Sequence, residues 1–244
     1  MRLRGKTALF TGATGEFGRA VARVFAGRRS WSVHDVQALQ MLAPLAGSYV
    51  PWSWSAMRPS GLVAVLGDVC VNDRRHVLEC GGGVSTVYLA RLLRERGGSL
   101  VTLEHDESWA RYVSQELERD EVAERAAVHL APLERSPVSP DGGDWYARGA
   151  VEEAVSALGE VDLLLVDGPP AFEREDTLAR YPALPSFADA LTEDCTVVLD
   201  DIERKGERRV VERWEDESSF EFQRRIDPGG IAIGRPRGYP VLGI

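Results

Sequence analysis

The sequence predicts an α/β protein: a doubly wound, mostly parallel sheet of seven strands, covered by helices and closed by an antiparallel C-terminal hairpin. Three observations predict it. Short apolar runs alternate with stretches of helical periodicity, as strands and crossover helices do in a parallel sheet. One of those runs, in the stretch 76–86 (HVLECGGGVST), leads straight into three glycines and then a helical pattern. Four predicted strands end in an acid, at Glu79, Glu104, Asp167 and Asp200. Ligands of open α/β sheets bind outside the carboxyl ends of the strands, and a scatter of solvated acids would not select that one edge.

The bulk properties fit such a fold. A chain of 244 residues, 44% hydrophobic and 27% charged, can bury a sizeable core and is not a disordered composition. A formal net charge of -9 argues against nucleic acid or an anionic membrane as the main partner. Cys70, Cys80 and Cys195 have neither paired nor metal-type spacing, so they are expected to be buried packing residues in a reducing compartment. No apolar run approaches the ~18 residues of a membrane span, and the N-terminal apolar stretch is interrupted by Gly12, Gly15, Glu16 and Arg19. A cytoplasmic location is the resulting expectation.

Taken in order, residues 6–29 form a separate glycine signal, with a strand at 7–10, a turn at 11–18 and a helix at 19–25. The unit resembles the first βα unit of short-chain dehydrogenases, whose TGxxGxxG loop binds the pyrophosphate of NAD(P). No tyrosine in the chain has a lysine four positions on, as that family's catalytic pair requires, and no ribose-binding acid follows before Ser30. Residues 1–29 are therefore expected to be an appended dehydrogenase-like fragment. Residues 30–60 read as a helical cover. Ser32-x-x-Asp35 is a capping box, and Val33, Val36, Leu39 and Leu42 keep one helical face until Pro44. The aromatic segment 49–54 follows, where Trp52 and Trp54 suit either a substrate wall or a cover packed on the sheet.

The main domain, 61–244, opens with a helical stretch at 61–71 and then the glycine loop. A dinucleotide fingerprint needs a third glycine that Val84, Ser85 and Thr86 do not supply, and Glu79 would repel a pyrophosphate. An acid before a glycine loop suits a ligand with a positive charge and an amino-acid head group. The second strand, 99–104, ends in Glu104, near the ~20-residue spacing at which a carboxylate meets ribose hydroxyls. Asp106 can cap the helix carrying Trp109, Tyr112 and Val113. A third strand at 126–130 leads to the turn 131–134, a loop at 136–143, and a helix at 150–158 stopped by Gly159. The near-continuous apolar run 161–167 (VDLLLVD) reads as a strand buried on both faces. After an irregular stretch around Arg180 come a strand at 196–199 with Asp200-Asp201, a helix at 210–214, and strands at 220–226 and 230–234 joined through 227–229.

Over residues 32–244 the segments ECGGGVST, LEHD, LLLVDGPP and VVLDDIER, in that order, resemble the motifs of class I S-adenosylmethionine-dependent methyltransferases. The resemblance implies a Rossmann-like fold and S-adenosylmethionine as cofactor. It implies that Glu79, Gly81, Gly82, Gly83, Ser85 and Thr86 hold the methionine part and Glu104 the ribose, that His105 beside it also binds the cofactor, and that Leu133, in the turn after the third strand, lies at the adenine. Asp167 would stand beside the methyl group as the catalytic residue. Asp167, Asp200 and Asp201 also resemble the Mg²⁺ triad of catechol-type O-methyltransferases, with two departures: Asp201 replaces an asparagine, and Pro169 and Pro170 stand where a lysine base would. The bland alternative is an aspartate pair capping the next helix or bonding to Arg204. The implied function is methylation of a small molecule, on oxygen, with Mg²⁺ assistance left open. The alternatives are an NAD(P)-binding dehydrogenase-like protein and a non-catalytic S-adenosylmethionine-binding domain. The expected partner is a small-molecule methyl acceptor, with neither nucleic acid nor membrane, and a homodimer is left open.

Overall fold

The computed structural model describes residues 32–53, 55–140, 142–171, 177–226 and 230–239. The chain divides into two units, Met1–Trp31 and Ser32–Ile244. The expected dehydrogenase-like fragment at 1–29, Trp54 and the turn at 227–229 lie outside the described residues.

The second unit begins with α1 (Val33–Leu42), a short 3-10 turn (Ala43–Leu45) and α2 (Pro59–Val71). Then β1 (His76–Cys80), α3 (Val84–Arg96), β2 (Ser99–Glu104), α4 (Glu107–Arg119) and β3 (Ala126–Leu130) follow one another as βα units. A two-stranded flap, β4 (Leu133–Arg135) and β5 (Asp144–Tyr146), precedes α5 (Arg148–Leu158) and β6 (Val161–Val166). After α6 (Ala183–Phe187) come β7 (Leu191–Leu199), α7 (Lys205–Glu217), β8 (Phe220–Arg225) and β9 (Ile231–Pro236).

The seven-stranded sheet has the order β3-β2-β1-β6-β7-β9-β8. Pairings among β1, β2, β3, β6 and β7 are parallel, and β9 is antiparallel to both β7 and β8. The strand order reverses between β1 and β6, which both leave toward the same edge and open a crevice there. The apolar run of β6 has a simple cause. Leu164 and Val166 face one helical layer with Val151, Phe187 and Trp214, while Leu163 and Leu165 face the other with Leu62, Val65 and Val87. Each of these leucines is fully buried, a contribution of about 1.5–3 kcal/mol apiece. Edge strand β8 alternates instead, with Phe220 and Phe222 buried and Glu221 and Gln223 exposed.

Local signals set several ends. Asp106 accepts a hydrogen bond from the Trp109 N–H at 2.8 Å, capping α4. Gly159, at φ +79, ends α5 as a glycine cap does. Ser32 and Asp35 form the reciprocal box at the start of α1.

Four expectations need correction. The buried face of α1 is Asp35, Ala38 and Leu42, whereas Val33 and Val36 are 72% and 54% exposed. The reason is electrostatic: Arg58 Nη2 lies 2.6 Å and Ser60 Oγ 2.5 Å from the Asp35 carboxylate, which turns that side inward. The turn at 131–134 becomes strand β4 from Leu133, because the backbone there pairs with β5. Cys70 is exposed, and only Cys80 and Cys195 are buried. The strand expected at 196–199 starts earlier, at Leu191, with a register shift opposite Val161 and Leu163.

Candidate functional site

The crevice is built by two loops that touch. Gly81 leaves β1 at φ +90, and a Cβ there would lie 2.8 Å from the Gly168 nitrogen in the loop after β6. Only glycine allows both the left-handed backbone and that approach. The peptide of Gly82 is then held from two sides. Its N–H donates to Glu104 Oε2 at 3.0 Å, and its carbonyl accepts from Trp109 Nε1 at 2.7 Å. Gly83 is different: its backbone is extended, and a Cβ would meet nothing within 4 Å. It faces open space at the N-terminus of α3, where free N–H groups favour polar ligands.

Glu79 lies under this loop, fully buried. Its carboxylate accepts from Ser85 Oγ and Thr86 Oγ1, both at 2.5 Å, and from Thr102 Oγ1 at 2.8 Å. Burial, against those hydroxyls and with some help from the charge of Glu104, pushes its carboxyl up to about 7. Glu79 thus ties β1, β2 and the first turn of α3 together from below. Glu104 ends β2, and besides Gly82 it accepts from the Asp106 N–H at 2.9 Å. A carboxylate has four acceptor positions, so capacity remains. His105 Nδ1 lies 2.8 Å from Glu104 Oε1, and the approach of that carboxylate raises the imidazole pKa, against partial burial.

Above the loop is a small, partly open cleft. One wall is Gly82, Gly83, Val84 and Ser85, another is Trp109 and Asp167, and the third is the segment Pro51, Ser53, Ser55, Ala56 and Met57. Of the residues expected from sequence, Gly82, Gly83, Ser85 and Asp167 line it, while Gly81, Glu79 and Thr86 support it from beneath. Leu133, on the flap and about one-third exposed, and His105 are not among the described residues that line it. The segment 51–57 gives the cleft a wall, but not through its tryptophans: Trp54 lies outside the described residues and Trp52 is not in the lining. The segment's backbone and small residues form that wall, while Trp52 turns away, its Nε1 on the Met57 carbonyl at 3.2 Å and its ring 6.1 Å from Tyr88.

The acids after β6 and β7 do meet: one carboxylate oxygen each from Asp167, Asp200 and Asp201 lies within 4.8 Å of the others. That spacing alone would suit oxygen ligands of one divalent ion. A cation of the protein already stands there. Arg180 Nη2 is 3.2 Å from Asp201 Oδ2 and 3.4 Å from Asp167 Oδ1, its Nη1 donates to the Asp200 carbonyl at 3.2 Å, and its Nε donates to the Pro169 carbonyl at 3.3 Å. Arg204 adds a second contact to Asp201 Oδ2 at 2.9 Å. Mg²⁺ would need the same oxygens at about 2.1 Å. As assembled, the donor set does not suit a divalent ion. Burial first, then the charge of Asp200, pushes the Asp167 carboxyl well above its usual range, while Arg180 pulls it down. Asp201 holds φ +63, a left-handed backbone uncommon outside glycine.

Sequence reasoning missed two features of the site. Arg180 lies in a stretch without periodicity, so nothing in the sequence signals that its guanidinium returns to the β6 and β7 ends. Ser53, Ser55 and Met57 line the cleft by virtue of chain path, which local pattern does not encode.

A family profile described as a methyltransferase domain matches residues 78–202. No match was found among curated proteins. Solved structures resemble the chain over most of its length. An O-methyltransferase from Bacillus cereus, in complex with SAH, is 18% identical with a TM-score of 0.52, covering 90% of this chain and 97% of its own. The O-methyltransferase TomG from Streptomyces achromogenes, involved in tomaymycin synthesis and in complex with SAM, is 17% identical with a TM-score of 0.51, covering 90% and 96%. A putative caffeoyl-CoA O-methyltransferase from Staphylococcus aureus is 13% identical with a TM-score of 0.55, covering 84% and 100%. At these identities the likeness is one of fold.

Proposed function

The chain belongs to the methyltransferase-domain family, and from that membership we propose that it is a class I S-adenosylmethionine-dependent enzyme that methylates an oxygen of a small molecule. One observation supports this above the others: the cleft places the open face of Gly83 and the start of α3 on one side and the Asp167 carboxyl on the other. Likeness in fold to O-methyltransferases, two of them with SAH or SAM in their structures, supports the oxygen acceptor and the cofactor.

The residues present fit that cofactor. The space beside Gly83 would take an amino-acid head group, with the N-terminus of α3 offering the polar surface its carboxylate needs. Glu104 has acceptor capacity left for ribose hydroxyls, and on this reading His105 beside it and Leu133 on the flap would contact the rest of the cofactor. When bound, the sulfonium supplies an electrophilic methyl group. The chain's own task is then mostly orientation, which can account for a large part of such a rate enhancement. The wall from Pro51 to Met57 and Trp109 exclude water and hold the acceptor against the loop. Asp167 accepts the hydrogen bond of the acceptor hydroxyl and takes its proton as the oxygen is methylated.

Thermal melting with S-adenosylhomocysteine, S-adenosylmethionine, NADH and NADPH tests the reading. A ligand that binds only the folded chain raises its apparent stability. The first two ligands are expected to raise the melting temperature and the nicotinamides to leave it unchanged. Stabilisation by NADH alone would reverse the assignment.

A further inference from the structure

We infer that the Arg180 guanidinium is a built-in counter-cation of the Asp167–Asp200–Asp201 cluster, so that this site works without a divalent metal ion. The inference concerns the cluster itself, and only its consequence for catalysis rests on the methyltransferase reading. Three facts carry it. Arg180 is almost wholly buried, its side chain 2% exposed, in a chain where such a charge needs partners. Its hydrogen-bond partners are the carboxylates of Asp167 and Asp201 and the carbonyls of Pro169 and Asp200, and the buried Glu207 carboxylate stands 4.0 Å from its Nη1. Its position is also fixed from the chain side, because Arg180 sits at the turn leading into α6, whose Ala183, Leu184 and Phe187 are core residues.

An arginine fork in this position does what a metal ion does electrostatically while leaving no open coordination position. It holds the Asp167 carboxylate in one orientation, with that residue still on the cleft wall. Arg180 is therefore a positioning residue. An acceptor hydroxyl meets Asp167 directly, and an acceptor needs no second oxygen for bidentate binding to an ion. That widens the expected substrates from diols to single hydroxyls.

The test uses the full chain stripped with EDTA. Mn²⁺ binding is followed by the loss of its free electron-spin-resonance signal, and thermal melting is run with and without Mg²⁺. Wild type is expected to bind no Mn²⁺ stoichiometrically and to melt alike in both conditions. Arg180→Met keeps the stem but removes the charge, and it is expected to gain saturable Mn²⁺ binding, about tenfold or more above wild type, and to be stabilised by Mg²⁺. Arg180→Lys retains a cation and should stay indifferent to metal. Asp201→Asn in the Arg180→Met background should abolish the gained binding. Two results would overturn the inference: one Mn²⁺ per wild-type chain that Asp201→Asn removes, or an Arg180→Met chain that no divalent ion binds or restores. S-adenosylhomocysteine melting shifts on the same samples report separately on the cofactor reading.

Discussion

At the scale of the residue, three adjacent glycines do three different things. Gly81 cannot carry a side chain, because φ +90 and the backbone of Gly168 both oppose it. Gly81→Ala is expected to destabilise the fold by about 1–3 kcal/mol, the cost of strain at such a position, read as a lower melting temperature. Gly83 stands in extended backbone with open space ahead, so Gly83→Val should melt like wild type yet lose the shift produced by S-adenosylhomocysteine. If Gly83→Val keeps that shift, the head group binds elsewhere. Glu79 gives a pH prediction. In the folded chain burial moves its carboxyl from 4.5 to about 7. Between those values the native state keeps a proton that the unfolded chain has released, so this group's contribution is full below pH 4.5 and is lost as pH rises through about 7. Melting curves across that window should be flatter for Glu79→Gln than for wild type, and an unchanged slope would place the raised group elsewhere.

At the scale of the element, helices act on the site through their first turns. Helix α4 is capped by Asp106 and, three residues on, puts the Trp109 indole against the Gly82 carbonyl. Asp106→Ala is expected to cost about 1 kcal/mol of stability. It should also weaken S-adenosylhomocysteine binding by calorimetry, since the indole that clamps the loop loses its anchor. The cap was legible in the sequence because capping is a local contest between side chain and backbone. The buried face of α1 was not. Its valines look like a core stripe, but Arg58 and Ser60 draw Asp35 inward, and burial notwithstanding, their hydrogen bonds hold that carboxyl well below the usual range. A polar network between distant residues overrode a pattern read within one helix.

At the scale of the whole molecule, the second unit holds the seven-stranded sheet and every described wall of the cleft. A chain beginning at Ser32 is therefore expected to fold and to keep its melting shift with S-adenosylhomocysteine. Insoluble or ligand-blind material would make residues 1–31 part of the working protein. Among the described residues, no helix is long and apolar enough to cross a membrane. The sequence by itself determined the strand and helix alternation, the glycine loop, and the edge on which Glu79, Glu104, Asp167 and Asp200 gather. Those follow from periods of two and 3.6 residues and from local turn chemistry. Only the tertiary structure decided which cation the Asp167 and Asp201 carboxylates face. Arg180 reaches Asp167 and Asp201 across an irregular segment, and a contact between residues so placed is fixed by the packing of α6 and the ends of β6 and β7, not by any spacing along the chain.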